Sequence, residues 1–434
     1  MKKLIAMAMV LMMALSLTAF GEGAVSVAPE ASASAEVPAD ETPEAPAGET
    51  EAPAEEAEVP AEDAEAPAGD AEATEAGGYS MSDAQKLDTN YTLALNAIQA
   101  EEYDKANRYI DICFAYCDAE SDPVMYADLL LKRACIDVIN GDQDIALVEL
   151  EAALKVQPDL ADAYLVRTQI LTAQSRFEDA VQSLDRYIEL TEQTELYQTV
   201  AQLYEAGGNM SAAVEAYDKY LEKANVEGVE AKYQSGVYKL QSGQYDAAVA
   251  DFEACADDET FGAGAQYNIG VSRMNQGDYA AAIAAFDACA EKGGNFDGLY
   301  YNRGVCRLLN AEYDAAIEDL KQSIESESFA ADARYNLGIC YIQQNKAEEA
   351  DAELTALIDD GAAQEVVYPA AHYYRAACRL ALGNLEDALA DYTVCIDNGY
   401  ELAQSYYQRA QVYAAMNDTE HQTEDLENSL KYAE

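Results

Sequence analysis

The stretch LYYNRGVCRLLNAEYDAAIEDLKQSI, residues 299–324, decides the fold. Read at 3.6 residues per turn, Tyr301, Val305 and Leu308–Leu309 line one helix face, and Ile317, Leu320 and Ile324 line another. Asn310–Ala311–Glu312 between them has room only for a tight turn, so the two helices must be antiparallel neighbours. Gly304 and Ala316 fall where two such helices would touch. Glycine costs about 1 kcal/mol in a helix interior, so its presence there points to close packing. A hairpin this small cannot cover its own apolar face and needs a copy of itself on each side.

The copies are present. Ala316 has counterparts at Ala106, Ala146, Ala180, Ala213, Ala248, Ala282, Ala350, Ala388 and Gln422, at steps of 40, 34, 33, 35, 34, 34, 34, 38 and 34 residues. Twelve residues before each anchor stands a small residue: Ala94, Ala134, Thr168, Ala201, Gly236, Gly270, Gly304, Gly338, Ala376 and Ala410. Four residues after it comes a bulky one, among them Ile110, Leu150, Phe252, Phe286, Leu320 and Tyr392. This helix-turn-helix period resembles the tetratricopeptide repeat family over residues 87–434. The resemblance implies an all-α fold, a right-handed superhelical solenoid of about ten helical hairpins. Two features depart from the family pattern: many first helices lack its early aromatic or Leu, and only Pro158 occupies the inter-repeat proline place. The steps of 40 and 38 place longer loops near Asp118–Asp122 and Asp359–Val366.

Composition narrows the function. The chain of 434 residues carries a formal charge of −55, which speaks against nucleic acid or anionic lipid as a partner. Nine scattered cysteines without a CxxC pair, and two histidines, His372 and His421, suggest no zinc site and few means for acid–base catalysis. Acid clusters such as Asp257–Asp258–Glu259 lack the spaced ligands and turn glycine of a calcium loop and read as solvated turns. No cofactor and no metal are expected, and the chain is expected not to be an enzyme.

Three regions follow in order. Met1–Lys2–Lys3 and the apolar run Leu4–Phe20 read as a signal peptide over 1–21, the alternative being a membrane anchor over 4–20. The run Leu17–Thr18–Ala19–Phe20–Gly21 looks like a bacterial lipoprotein box, with Phe20 where the lipidated Cys would stand. Residues 22–78 contain seven of the ten prolines, seventeen acids and no Lys or Arg. They read as a disordered, extended linker, either a spacer or a tolerated leader. The repeat array occupies 79–434 and is acidic in its own right, with 64 acidic against 24 basic residues. Its last copy becomes polar, as a terminal repeat facing water should.

The resemblance also nominates a site. In such arrays the residue three before the small one faces the concave groove, and here it is Tyr91, Tyr233, Tyr267, Tyr301, Tyr335, Tyr373 and Tyr407 in seven copies. The position after the small residue is mostly aliphatic: Leu95, Val237, Val271, Val305 and Ile339. Tyrosines beside aliphatics can hold a peptide; alternatively, these rings pack between hairpins. Acidic rims at Asp88, Asp128, Asp162, Glu195, Glu230 and Asp332 would repel a carboxylate and favour a partner bearing Lys or Arg. The expected function is therefore an exported, non-catalytic scaffold binding a protein or peptide in the groove. The alternative is a structural spacer or cell-envelope assembly component that uses its outer surface.

Two packing expectations complete the reading. An Arg stands just before the small residue in five copies, and an acid follows the anchor by three in four of them. Arg303–Asp319, Arg375–Asp391 and Arg409–Asp425 are expected to pair within their hairpins. Cys113, Cys255, Cys289 and Cys395 follow their anchors by seven, and Cys306, Cys340 and Cys378 follow small residues by two. These read as buried thiols, or, for Cys289 and Cys306, as a disulfide.

Overall fold

The computed structural model describes residues 81–326, 328–359 and 367–433. The expected signal segment, the acidic linker and the loop after Asp359 lie outside the described residues. The described residues contain twenty α-helices, arranged as ten antiparallel hairpins, with one 3-10 turn at Thr194–Leu196. They fall into two compact units, 81–158 and 159–433. The division falls at Pro158, whose ring disfavours helix at the residue before it.

The first unit holds α1 (Asp83–Gln99), α2 (Tyr103–Phe114), α3 (Pro123–Asn140) and α4 (Gln143–Val156). The Ser82 hydroxyl accepts from the Gln85 amide while the Gln85 side chain accepts from the Ser82 amide, a reciprocal cap that starts α1. The longer loop expected at 118–122 is present. There the Asp118 carboxylate accepts from the amides of Glu120 and Ser121 at 2.9 and 2.7 Å. Asp122 then caps α3, with Pro123 in the first turn.

The second unit begins with α5 (Ala161–Ala173), α6 (Phe177–Thr191), α7 (Tyr197–Ala206) and α8 (Met210–Lys223). Next come α9 (Val229–Gln241), α10 (Tyr245–Glu253), α11 (Gly262–Asn275) and α12 (Tyr279–Glu291). They are followed by α13 (Leu299–Leu309), α14 (Tyr313–Ser323), α15 (Ala330–Gln343) and α16 (Ala347–Asp359). The unit ends with α17 (Val367–Leu382), α18 (Leu385–Asp397), α19 (Leu402–Ala415) and α20 (Thr419–Tyr432).

The repeating triad forms the core. All nine anchor alanines are fully buried, as are the small residues opposite them. The small residue is matched to the bulky one sixteen positions later. A Cβ added to Gly270 would lie 2.6 Å from the Phe286 ring, and one on Gly304 would lie 2.9 Å from Leu320. Backbone and side chain therefore touch directly in these hairpins, which is the packing reason for placing glycine inside a helix.

Each hairpin turn uses one residue in the left-handed region, always five before the anchor. Five of the ten are glycines and two are asparagines, whereas Glu101, Ser175 and Ala311 carry the strain of a Cβ there. At Ala311 (φ 60°) the Glu312 amide reaches back to the Arg307 carbonyl at 2.8 Å. That bond closes the helix end in the manner of a Schellman turn. The last hairpin is polar as expected: on α20 only Asp425 is buried.

All nine cysteines are free thiols, and all except Cys135 are buried. The disulfide entertained between Cys289 and Cys306 is absent; both thiols pack within one apolar cluster. Burial pushes Cys289 up to about 11 and Cys306 up to about 12, so neither presents a reactive thiolate.

Candidate functional site: the first-helix face

The tyrosine positions were the sequence-based candidates, and the structure engages them with the next hairpin. Tyr233 packs on Phe252 of its own hairpin and on Phe261, which precedes the next first helix. Tyr267 repeats this with Phe286 and Phe296, and Tyr301 stacks on Phe329 at a centroid distance of 4.9 Å. Tyr335 meets Tyr374, while Tyr373 meets Tyr374, Tyr392 and Tyr400. Asn268, Asn302 and Asn336 donate to the hydroxyls of Tyr233, Tyr267 and Tyr301 at 3.1, 3.0 and 3.4 Å.

A second device makes room for these hydroxyls. A Cβ on Gly264 or Gly298 would stand 2.8 Å from the hydroxyl oxygen of Tyr233 or Tyr267. At the equivalent place in the first unit, Asp128 accepts the Tyr91 hydroxyl at 2.6 Å. The rim acid thus serves as a hydrogen-bond acceptor between hairpins.

Of the two readings of these tyrosines, groove-facing peptide contacts or packing between hairpins, this geometry favours the second. Tyr267 has 0% exposure, Tyr91, Tyr233, Tyr301, Tyr335 and Tyr373 are partly buried, and Tyr407 in the last hairpin is 49% exposed. The rings supply apolar area and a satisfied hydroxyl between successive hairpins. The sequence contained the signal: an aromatic 27–29 residues after Tyr233, Tyr267, Tyr301 and Tyr373, and a glycine 31 residues after the first two.

The same face carries an aliphatic floor. Val305 and Leu308 on α13, and Ile339 and Ile342 on α15, are partly buried at two recurring places. Val237 and Val271 are buried. By contrast α5 and α7 place Gln169, Thr172, Gln202 and Glu205 at these positions. The apolar character, present also as Leu95 and Ile98 on α1, is interrupted at α5 and α7.

Charge pairing fastens the second helices. Arg375 binds Asp391 through Nε and Nη2 at 2.9 and 2.7 Å, and Arg409 binds Asp425 at 2.8 and 2.9 Å. Arg133 pairs with Glu149, and Arg167 donates to Ser183 at 2.9 Å. Sequence reasoning missed the second base: Arg307 and Arg379, four residues after Arg303 and Arg375, also bind Asp319 and Asp391. Arg303 and Arg307 extend to Asp287 of the preceding hairpin, and Arg379 to Asp351. These clusters join hairpins as well as helices.

Around Asp391, burial disfavours the carboxylate, but hydrogen bonds from His372 and Arg375, with the charges of Arg375 and Arg379, outweigh it. They hold Asp391 below the usual carboxylate range. His372 Nδ1 lies 2.6 Å from Asp391 Oδ1. Asp258, within the acid cluster, accepts from the amides of Thr260 and Phe261 at 2.8 and 2.9 Å, which makes it a turn-stabilising residue.

Two hollows accompany these surfaces. One of about 50 Å³ is lined by residues including Asp185, Tyr197, Tyr204 and Lys219. An open cleft of about 450 Å³ in the first unit is lined by Asp111, Phe114, Cys117, Asp118, Tyr126 and Arg133. Among the described residues, no group of three or more His, Cys, Asp or Glu could hold a metal, and no helix is long and apolar enough to cross a membrane.

Three tetratricopeptide repeat family models match the chain: one over 131–193 and 233–295, one over 307–368, and one over 194–222 and 403–434. Together they span more than half of it, and the chain belongs to the tetratricopeptide repeat family. Members of this family are in general non-catalytic scaffolds that bind proteins or peptides.

No curated protein sequence matches the chain. Among solved structures, YrrB, a TPR protein with an unusual peptide-binding site, is 20% identical; the match covers 43% of this chain and 93% of YrrB, with a TM-score of 0.38. The C-terminal part of a TPR repeat-containing protein from Cytophaga hutchinsonii is 17% identical, covering 53% and 93%, with a TM-score of 0.45. The P58(IPK) TPR domain is 14% identical, covering 77% and 99%, with a TM-score of 0.29. At these scores the likenesses carry nothing about this chain's partners.

Proposed function

We propose that this protein is an exported, non-catalytic interaction scaffold that holds a protein or peptide bearing Lys or Arg along its first-helix face. The observation that supports this reading is the aliphatic floor of Val305, Leu308, Ile339 and Ile342, left partly uncovered on two successive first helices. Such a floor supplies apolar contact, while the excess of acids over the whole array supplies attraction for a basic partner. Binding weakens with added salt, since exposed charges are screened within about 10 Å at 0.1 M. The apolar run Leu4–Phe20 supports export.

Full-length protein carrying a photo-crosslinking side chain at Val305 tests the reading on intact cells. Glu318, exposed on α14, provides the control position. A discrete protein adduct at 305 and none at 318 is expected, together with a mature N-terminus near Glu22. Equal adducts at both positions would reject the groove, and a retained segment 4–20 would reject cleavage and export as a free protein.

A further inference from the structure

The hollow of about 50 Å³ beside α7 lies where other hairpins hold an arginine. In the last hairpin Arg409 stands just before the small residue Ala410, and its guanidinium lies over the rings of Tyr406 and Tyr413, 5.5 and 5.9 Å from their centroids. Those tyrosines stand four before and three after Ala410. The fourth hairpin has the same two tyrosines, Tyr197 and Tyr204, four before and three after Ala201, but Val200 takes the arginine's place. Both rings line the hollow together with Val200. The aromatic walls of a guanidinium site are present there without the guanidinium.

The acid is present too. Asp185, on α6 of the preceding hairpin, lines the same hollow. It follows its anchor Ala180 by five, the place of Asp287, which accepts from Arg303 and Arg307 of the next hairpin at 2.8 and 3.1 Å. Among the described residues, no hydrogen bond or ion pair reaches the Asp185 carboxylate. Burial pushes its carboxyl up, the charge of Lys219 lowers it in part, and Glu189 pushes it up again. The place of Asp319 and Asp425 is held by Ala216 here, which leaves Asp185 as the inward acceptor.

The rest of the lining sets the size and sign of what can enter. Glu215 adds a second carboxylate, and Lys219 is the one base. The Lys219 ammonium lies 6.0 Å from the centroid of the Tyr197 ring. Glu215 and Lys219 are both exposed, so the hollow opens to solvent. Its volume is several times the roughly 10–15 Å³ that one water needs. A carboxylate between two aromatic faces suits a planar, delocalised and weakly hydrated cation.

We propose that this hollow is a binding cage for the guanidinium of an arginine side chain on a partner protein. Asp185 accepts its N–H groups, and Tyr197 and Tyr204 cover its faces. The cage lies between α6, α7 and α8 and shares no residue with the aliphatic floor of α13 and α15, so its test is independent of that reading.

Full-length protein titrated with N-acetyl-arginine amide and followed by ligand-observed NMR tests the proposal. The citrulline analogue keeps the shape without the charge, and the lysine analogue keeps the charge without the planar group. The arginine analogue is expected to saturate one site, with the other two weaker by about tenfold or more. Asp185→Asn should weaken the arginine analogue by a similar factor while keeping the wild-type helical circular dichroism, whereas Lys219→Met should not weaken it. Val200→Arg places a guanidinium where Arg409 carries one and should block the probe. If that variant does not fold, Asp185→Asn decides alone.

Equal binding of the lysine analogue would reduce the effect to the acidity of the chain and overturn the proposal. Loss of binding on Lys219→Met with retention in Asp185→Asn would make the hollow an anion site and overturn it as well. Unchanged binding in Asp185→Asn would place the probe elsewhere. Free arginine bound about tenfold more tightly than its capped form would overturn the assignment to a partner's side chain, since its carboxylate would then be meeting Lys219.

Discussion

Arg303 holds Asp319 through two parallel hydrogen bonds, Nε to Oδ2 at 2.8 Å and Nη2 to Oδ1 at 2.6 Å, across the two helices of one hairpin. Asp319 is 3% exposed and also accepts from Arg307. Removing one partner of a buried pair leaves an uncompensated charge, at a cost of about 3–5 kcal/mol. Because Arg307 remains, Arg303→Leu should cost about 2–3 kcal/mol, at or below the low end of that range. Asp319→Leu, which strands two guanidinium groups, should cost more. The double substitution should cost less than the sum, and a double-mutant cycle in urea measures the coupling.

Gly270 and Phe286 offer a second test. Gly270→Ala forces a methyl group into the Phe286 ring and should destabilise by about 1–3 kcal/mol. Adding Phe286→Leu recreates the Ala134·Leu150 pairing already used by the second hairpin, and should recover most of the loss. Thermal unfolding of the single and double variants decides it; additive losses would contradict the matched-pair account.

Glu149 predicts a pH response confined to the first unit. Its carboxyl is buried; desolvation pushes it up, Arg133 pulls it down and Asp137 pushes it up again, to about 7. In the unfolded chain a Glu titrates near about 4.3. Between these values the folded hairpin retains a proton that the unfolded chain has released, so stability falls as pH rises through that window. Glu149→Gln should flatten the slope, leaving the part contributed by Asp137, which burial also pushes up. Amide-exchange protection of α3 and α4 at pH 5 and 8, corrected for intrinsic exchange, should show greater wild-type protection at pH 5. Greater protection at pH 8 would contradict the assignment.

Ala311 carries the left-handed turn of the hairpin formed by α13 and α14 at φ 60°. A non-glycine residue there costs about 1–2 kcal/mol in backbone strain, partly offset by the extra freedom of glycine in the unfolded chain. Ala311→Gly should therefore stabilise this hairpin by up to about 1 kcal/mol, read as a higher urea midpoint. A lower midpoint would show that the turn is not strained.

Features internal to one hairpin were legible in the sequence. The anchor alanines, the small residues twelve before them and the Arg–acid pairs sixteen apart follow from two antiparallel helices joined by a short turn. The helical period and the turn length set their positions. The left-handed residue five before each anchor was also on the page. It was obscured because Glu101, Ser175 and Ala311 stand where glycine or asparagine would have marked it.

What only the tertiary structure decided lies between hairpins. The sequence by itself determined that Tyr233, Tyr267 and Tyr301 share one helix position, but a position does not fix what meets a ring. Phe261, Phe296 and Phe329 arrive from the loops that lead into the next hairpins, and Gly264 and Gly298 leave space for two of the hydroxyls. Those contacts turn tyrosines expected to line an open strip into packing residues. The reach of Arg303 and Arg307 to Asp287, and of Arg379 to Asp351, likewise depends on how neighbouring hairpins approach. Helical periodicity is a short-range property of the backbone, whereas the partner of an outward side chain is set by the packing of the next repeat.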